Sequence, residues 1–253
     1  MDKSPTLPIG DRLDRPISAI TAYDYPMARL CDEAGIQMIL VGDSLGMVVA
    51  GHPDTTSVTL EQIVYHTGMV CRGAKNAVIV SDLPINTYDN PEMALESSQK
   101  LIAAGAEAVK LEGGFGQIEK VKGLRSAGIE VCGHLGMLPQ RVKEEGGYKK
   151  KGKTGDEVDA MVAAAKALEE AGVFAIVLES LLPEAADAIT AAIQIPTIGI
   201  GAGGNCDGEI RVLHDVVGSS PWFVPPFARV HGNVAEVTGN ALAKYLEEIQ
   251  STR

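Results

Sequence analysis

The sequence has little of several features that would assign it to common classes of protein. Only 4% of its 253 residues are aromatic, and 22 basic residues face 33 acidic ones, for a formal net charge of -11. Binding to nucleic-acid phosphates needs a basic surface, so this balance argues against a nucleic-acid partner. No apolar run approaches the roughly 20 residues of a membrane helix, and the first residues lack a signal-peptide core. We therefore expect a cytoplasmic protein without a membrane partner.

Cysteines are also few and widely separated. The chain has four of them, and no two stand at the spacing of a zinc site or a redox pair. Without a secretory context, a disulfide framework is not expected either. We predict reduced, mostly buried thiols at Cys31, Cys71, Cys132 and Cys206.

What the sequence has instead is a repeated unit, in which a short apolar run precedes a polar turn and a longer stretch of helical period. Such runs are typical of parallel strands covered on both faces. Eight of them are present, at 17–23, 38–41, 77–80, 108–111, 129–132, 174–178, 196–200 and, less clearly, 210–213.

Eight such units predict an α/β fold, a closed (βα)8 TIM barrel, in a chain whose length suits one barrel domain. We expect a single domain over residues 1–253 with a short N-terminal extension, 1–16. The segment from Gly201 to Gly208 is too short and too rich in glycine for a full helix. An open doubly wound sheet is therefore the alternative fold.

Ionisable or polar residues follow the apolar runs at the same place in the repeat. In a barrel that place is the C-terminal mouth, where the active sites of this fold are built. An aspartate after a strand is often only the cap of the next helix, but capping alone accounts poorly for so many coincidences. The set comprises Asp43, Ser44, Asp82, Glu112, His134 and Glu179.

Three carboxylates that meet at one mouth would repel one another unless a cation held them. A hard divalent ion such as Mg2+ suits Asp43, Asp82 and Glu112, whereas His134 leaves zinc open. Lys110 stands two residues before Glu112, hence on the same face of a strand, so we expect its ammonium in the same cavity as that carboxylate.

Two glycine-containing segments have less specific patterns. Gly199–Gly204 follows the seventh run, where many barrels bind phosphate on backbone amides, although tight packing would explain it equally well. Gly146–Lys153 is a basic island with glycine hinges, and it predicts either a solvated loop or a mobile lid for an anionic ligand.

At these residues the sequence resembles the ketopantoate hydroxymethyltransferase family, over about 20–217. It departs from the family pattern at 54–57, at Ile85, at Ser180 and in the segment around 221–227. The matching stretches include Val41-Gly42-Asp43-Ser44-Leu45-Gly46, Val109-Lys110-Leu111-Glu112-Gly113-Gly114, Gly133-His134-Leu135-Gly136, Gly146-Gly147-Tyr148 and Val177-Leu178-Glu179.

The resemblance implies a barrel of the phosphoenolpyruvate/pyruvate type, usually a homodecamer, that holds Mg2+ on Asp43, Asp82 and Glu112. It implies a transfer of a one-carbon unit from 5,10-methylenetetrahydrofolate to 3-methyl-2-oxobutanoate, giving 2-dehydropantoate for pantothenate biosynthesis. The partners would be these small molecules and other copies of the chain.

The same resemblance implies that Asp43, Ser44, Asp82 and Lys110 contact the oxo acid and that Glu179 is the base. Mg2+ on the carboxylate and keto oxygens would store the charge that develops when the C3 proton leaves. We expect His134 to position substrate or co-substrate.

Two other functions remain open from the residues. One is a Mg2+-dependent C-C lyase of the phosphoenolpyruvate/isocitrate lyase superfamily, although the paired lysines of the lyase loop are missing before Cys132-Gly133-His134. The other is a noncatalytic barrel that binds a phosphorylated ligand through Gly201–Gly204.

Overall fold

A computed structural model describes residues 9–252. Its eight parallel strands pair in sequence order and close into a barrel. The predicted barrel is confirmed, and the open doubly wound sheet is wrong. The strands are β1 (Ile17–Thr21), β2 (Met38–Val41), β3 (Val78–Asp82), β4 (Ala108–Lys110), β5 (Glu130–Gly136), β6 (Ala175–Glu179), β7 (Thr197–Ile200) and β8 (Gly208–Arg211).

Every predicted apolar run overlaps a strand, and the largest difference in a boundary is at β5. Strand β5 continues to Gly136, four residues beyond the predicted end at Cys132. An apolar pattern stops at Gly133 and His134, whereas their backbones continue to pair with Ile176 and Val177 of β6. Pairing between strands therefore decided this boundary, because ladder hydrogen bonds are made by the backbone whatever the side chain.

The helices begin where local capping chemistry predicts. Asn90 caps the helix that starts at Pro91, and its side chain accepts from Met93 N at 2.8 Å. Between β7 and β8 the described chain forms no helix, as the glycine-rich sequence there predicts. The helices are α1 (Tyr25–Glu33), α2 (Leu45–Val48), α3 (Leu60–Gly73), α4 (Pro91–Ala103), α5 (Ile118–Ser126), α6 (Gly155–Ala171), α7 (Pro183–Ala192), α8 (Leu213–Val217) and α9 (Val234–Ser251).

The described part of the N-terminal extension packs into the core. A 3-10 helix spans Ile9–Arg12, and Ile9 and Leu13 are each 6% exposed. They belong to one apolar cluster with Ile17 and Met38, which lie at the N-terminal ends of β1 and β2. Residues 1–8 of the predicted extension lie outside the described residues.

The chain divides into two compact units, one that ends at Ile210 and one that begins at Arg211. The first contains α1 to α7, and the second contains α8 and α9. The single domain over 1–253 stays a prediction. Within residues 9–252, no helix combines the length and the apolar character that crossing a bilayer requires.

Candidate active site

The barrel brings the predicted site residues to the C-terminal ends of its strands. Five of them are buried, with exposures of 2–5%, while Ser44 and Glu179 are partly buried. Asp43 and Ser44 follow β2, Asp82 ends β3, Lys110 ends β4, Glu112 stands two residues later, His134 lies in β5 and Glu179 ends β6.

The partner of the buried lysine is an acid of the neighbouring strand. The barrel register pairs Asp82 with Lys110, and Lys110 Nζ lies 2.5 Å from Asp82 Oδ1. Glu112 lies beyond the end of β4, so the two residues are not both in the strand as expected, although the charge of Glu112 still acts on the Lys110 ammonium. Burial lowers the pKa of Lys110, but the charges of Asp82, Glu112 and Asp43 outweigh it and raise that pKa.

Asp43 lies among the other acids. Its backbone N donates to Asp82 Oδ2 at 2.9 Å. Burial and the charges of Asp82 and Glu112 raise the pKa of Asp43 well above its usual range, although Lys110 opposes them. A carboxyl in this position is neutralised either by a proton or by a cation.

His134 lies between the two remaining acids. Its Nδ1 is 3.4 Å from Glu112 Oε1, and its Nε2 is 3.3 Å from Glu179 Oε2. Neither ring nitrogen has a partner at hydrogen-bond geometry in the described chain, so His134 interacts with the two carboxylates through its charge. Burial and the charge of Lys110 lower the pKa of His134. The contacts with Glu112 and Glu179 outweigh both effects and raise this pKa from 6.5 to about 9. His134 therefore carries a proton at neutral pH.

Pairing with His134 also acts on Glu112. Burial raises the pKa of this carboxyl, but its contacts with His134, Lys110 and the Gln140 backbone N–H together lower it. Glu112 is therefore favoured as a carboxylate, in contrast to Asp43.

Sequence reasoning missed two residues that contact this set. Gln140 Nε2 donates to Asp43 Oδ2 at 2.9 Å, and Gln140 N donates to Glu112 Oε2 at 3.1 Å. The buried Tyr23 shares a 2.7 Å hydrogen bond with Ser44 Oγ. Both side chains are uncharged, so a search for ionisable residues at strand ends passes over them.

A cavity of about 150 Å³ adjoins Glu112. Its wall contains Glu112 and Gln140 together with Tyr88, Lys120 and Arg141, which come from the segments after β3, β4 and β5. The cavity is therefore polar and charged of both signs.

The glycine-rich segment after β7 is packed against α7. A Cβ at Gly203 would lie 3.0 Å from Pro183 Cγ, and one at Gly204 would lie 2.6 Å from Asp187 Oδ1. Asn205 N donates to the same carboxylate oxygen at 2.6 Å. Close packing therefore explains these glycines, since an acid next to the backbone disfavours a phosphate.

The basic island is tied to the barrel at Lys151. Its N–H donates to Ser180 O at 3.0 Å, its carbonyl accepts from Leu182 N at 3.0 Å, and its Nζ lies 2.5 Å from Glu145 Oε2. Tyr148, in the same segment, reaches Met47 Sδ at 3.7 Å. The segment thus lies beside the residues that follow Glu179, and lid motion stays a prediction.

The carboxylates of Asp43, Asp82 and Glu112 are the kind of ligand that a hard cation prefers, but they do not form a complete coordination site. Within residues 9–252, no group of three His, Cys, Asp or Glu side chains is arranged to ligate a metal. Protein donors already contact oxygens of Asp43, Asp82 and Glu112. Mg2+ generally uses one or two carboxylates and keeps several waters, so these oxygens are sufficient in kind and number.

The chain is similar in sequence to enzymes of one family. The profile of one family, described as ketopantoate hydroxymethyltransferase, matches residues 6–253. The 3-methyl-2-oxobutanoate hydroxymethyltransferase of Pyrobaculum arsenaticum is 51% identical over 233 residues, 92% of this chain and 88% of its own. That of Aeropyrum pernix is 48% identical over 240 residues, 94% of this chain and 87% of its own.

Solved structures share the fold at low identity. Phosphonopyruvate hydrolase superposes with a TM-score of 0.64 at 16% identity, over 96% of this chain and 86% of its own. The 2,3-dimethylmalate lyase, a member of the PEP mutase/isocitrate lyase superfamily, gives 0.62 at 16% identity, over 98% and 89%. These likenesses confirm the barrel fold alone.

Proposed function

Because this chain belongs to the ketopantoate hydroxymethyltransferase family, we propose that its buried acids and lysine transfer a one-carbon unit from 5,10-methylenetetrahydrofolate to 3-methyl-2-oxobutanoate. The resemblance seen in the sequence is confirmed by the family match and by relatives 48–51% identical. The barrels of lyase type reach only 14–18% identity, which shows the fold alone. Membership of an enzyme family also disfavours a noncatalytic ligand-binding barrel.

The observation that carries the proposal is the convergence of three acids around Lys110. Asp43, Asp82 and Glu112 come from three different strands, yet all three charges act on the Lys110 ammonium. These acids would hold Mg2+, whose bound charge makes the keto oxygen of an oxo acid a better acceptor of negative charge. A solved structure of phosphonopyruvate hydrolase with oxalate and Mg2+ is 15% identical to this chain, so the likeness shows the fold alone.

Lys110 and Ser44 are the residues proposed to bind the oxo acid. An ammonium has three donors, and the contact with Asp82 Oδ1 at 2.5 Å uses one of them. A second can reach the substrate carboxylate or the developing oxyanion, where a fixed charge in a buried site stabilises the transition state. Tyr23 holds Ser44 Oγ by a 2.7 Å hydrogen bond, which limits the rotamers of that hydroxyl.

Glu179 is the group proposed to take the C3 proton. It ends β6, its side chain is 17% exposed, and Oε2 lies 3.3 Å from His134 Nε2. The C3–H bond breaks, the proton goes to Glu179, and the electron pair passes into the enolate. Water adds to the methylene carbon of the folate, the C–N bonds to that carbon break, and tetrahydrofolate leaves. The enolate then bonds through C3 to the released one-carbon unit, and the oxygen of that unit takes the proton back from Glu179. Protonated His134 keeps the carboxylate in place before proton transfer.

The test is an assay of 2-dehydropantoate formation from the oxo acid and methylenetetrahydrofolate, with Mg2+ and with chelator. We expect product that depends on both the folate and the metal. Product without the folate, or none under any condition, would contradict the proposal.

The base is tested by exchange of the C3 proton in D2O without folate. We expect Glu179→Gln to lose metal-dependent exchange while it still binds the oxo acid, because the amide cannot accept the proton. Glu184→Gln, an exposed acid in the first turn of α7, is the matched control and keeps exchange. Equal exchange in both variants would remove Glu179 from the role of base.

The cellular location and the subunit number are also proposed from family membership. We expect a cytoplasmic homo-oligomer, with the decamer implied by the family. Mass photometry of the purified chain measures the subunit number directly, and a monomer would contradict this expectation.

A further inference from the structure

We propose that Gln140 is a positioning residue that holds Asp43 and Glu112 as a pair for a divalent cation. The proposal rests on the cation of the proposed function. It concerns a residue that makes contacts to acids and not to substrate.

Gln140 connects the ends of three strands. It lies in a short 3-10 helix, Pro139–Arg141, after β5, and is 4% exposed. Its Nε2 donates to Asp43 Oδ2 after β2 and to Leu83 O after β3, each at 2.9 Å. Its backbone N donates to Glu112 Oε2 after β4 at 3.1 Å. One residue therefore binds two acids that are 69 positions apart, from 43 to 112.

Tyr88 sets the orientation of the Gln140 amide. Its hydroxyl, in a side chain 8% exposed, donates to Gln140 Oε1 at 2.5 Å. With Oε1 turned toward Tyr88, both hydrogens of Nε2 point to the oxygens of Asp43 and Leu83. The reversed amide would place Oε1 against the Leu83 carbonyl, which is an acceptor only. Only one orientation satisfies every group.

These contacts use both amide hydrogens of Gln140 and the backbone N–H. No donor of this residue remains for a substrate, so any effect on chemistry passes through the acids. Groups that hydrogen-bond metal-ligating carboxylates orient them, and their loss typically weakens metal binding about 10–100-fold. We expect this orienting effect to be largest for Asp43, because the charges of Asp82 and Glu112 repel its carboxylate.

Gln140 and Tyr88 also line the cavity of about 150 Å³, together with Glu112. A smaller side chain at 140 would enlarge this cavity beside Glu112. The informative substitution therefore keeps the volume and removes the side-chain hydrogen bonds, while the backbone bond to Glu112 remains. Gln140→Met does this, and Tyr88→Phe removes only the hydroxyl that orients the amide.

The experiment measures the Kd of Mg2+, and of Mn2+ as a second probe, by calorimetry on the purified full chain without substrate. We expect about a 10-fold or greater weakening for Gln140→Met and a smaller change in the same direction for Tyr88→Phe. Thr190→Val is the control: it breaks a 2.8 Å hydrogen bond to Thr197 and leaves the acids untouched, so its Kd matches wild type.

A purely structural role predicts a lower Tm without a change in Kd, and that result overturns the proposal. If Gln140→Met does not fold, Tyr88→Phe decides, and wild-type affinity in that variant is the overturning result. If wild type binds neither ion, the cation of the proposed function fails as well. If wild type and Gln140→Met bind the ions with equal, measurable affinities, the positioning role of Gln140 is overturned while the proposed function stands.

Discussion

Replacing Lys110 by Met tests whether the acids at the barrel mouth depend on a protein cation when no metal is added. The Lys110 and Asp82 side chains are 5% and 2% exposed, and their charged atoms are 2.5 Å apart. Methionine keeps the length of the side chain and removes its charge. Asp82 then loses its ion-pair partner, and the repulsion among Asp82, Asp43 and Glu112 is left without that counter-charge.

The expected cost follows from burial. Removing one partner of a buried ion pair costs about 3–5 kcal/mol, because the other charge stays in the interior without compensation. For a chain of this size, each kcal/mol lowers Tm by about 2 °C, so we expect a fall of about 6–10 °C. Asp82→Asn should cost less, because Lys110 keeps the charges of Asp43 and Glu112 nearby.

The assay is thermal unfolding at pH 7 with chelator and then with Mg2+. Arg29→Met is the control, since its pair with Glu33 has side chains 58% and 57% exposed. An exposed pair of this kind contributes under about 0.5 kcal/mol, so Tm should move by about 1 °C. Mg2+ should recover part of the loss in Lys110→Met. A fall no larger than that of Arg29→Met would refute the reasoning.

Two further predictions concern a glycine at the site and an acid away from it. A Cβ at Gly136, whose φ is +98°, would lie 2.2 Å from Glu179 O, so Gly136→Ala should displace the base and lower kcat. Gly116→Ala meets nothing within 4 Å and should match wild type in the same assay, and equal kcat for both would contradict this. Burial raises the pKa of Asp32, but hydrogen bonds from Ala77 and Asn76 lower it, so its stabilisation is present above the unfolded pKa and is lost in acid. Asp32→Asn should lower the free energy of unfolding by about 1 kcal/mol at pH 7 in urea titrations, and a difference that does not shrink below about pH 4 would contradict it.

Much of the fold could be predicted from local patterns. A strand buried on both faces must be apolar nearly throughout, and β2 shows this in its four residues Met38–Val41, whose predicted and observed bounds agree. Helix starts were equally visible, because caps such as Asn90 are local chemistry. The extension of β5 to Gly136 was not, because it depends on pairing with β6.

The site was predictable to the extent that it is made of charge. Asp43, Asp82 and Glu112 stood out because acids recur at the same place after several apolar strands, and a closed parallel barrel brings all strand ends to one mouth. Partner choice was not visible: Lys110 pairs across strands with Asp82, since the register, which no single segment encodes, places them side by side.

By itself the amino-acid sequence determined which segments are strands and which acids follow them, because each of these follows from neighbours along the chain. It left an open sheet as the alternative to the closed barrel, which the structure decided. Only the tertiary structure decided that His134 lies between Glu112 and Glu179 and that Gln140 binds two acids from different strands. The physical reason is that hydrogen bonds and ion pairs depend on distances of about 3 Å and on direction. Such distances between residues far apart in the chain exist only after the barrel has closed.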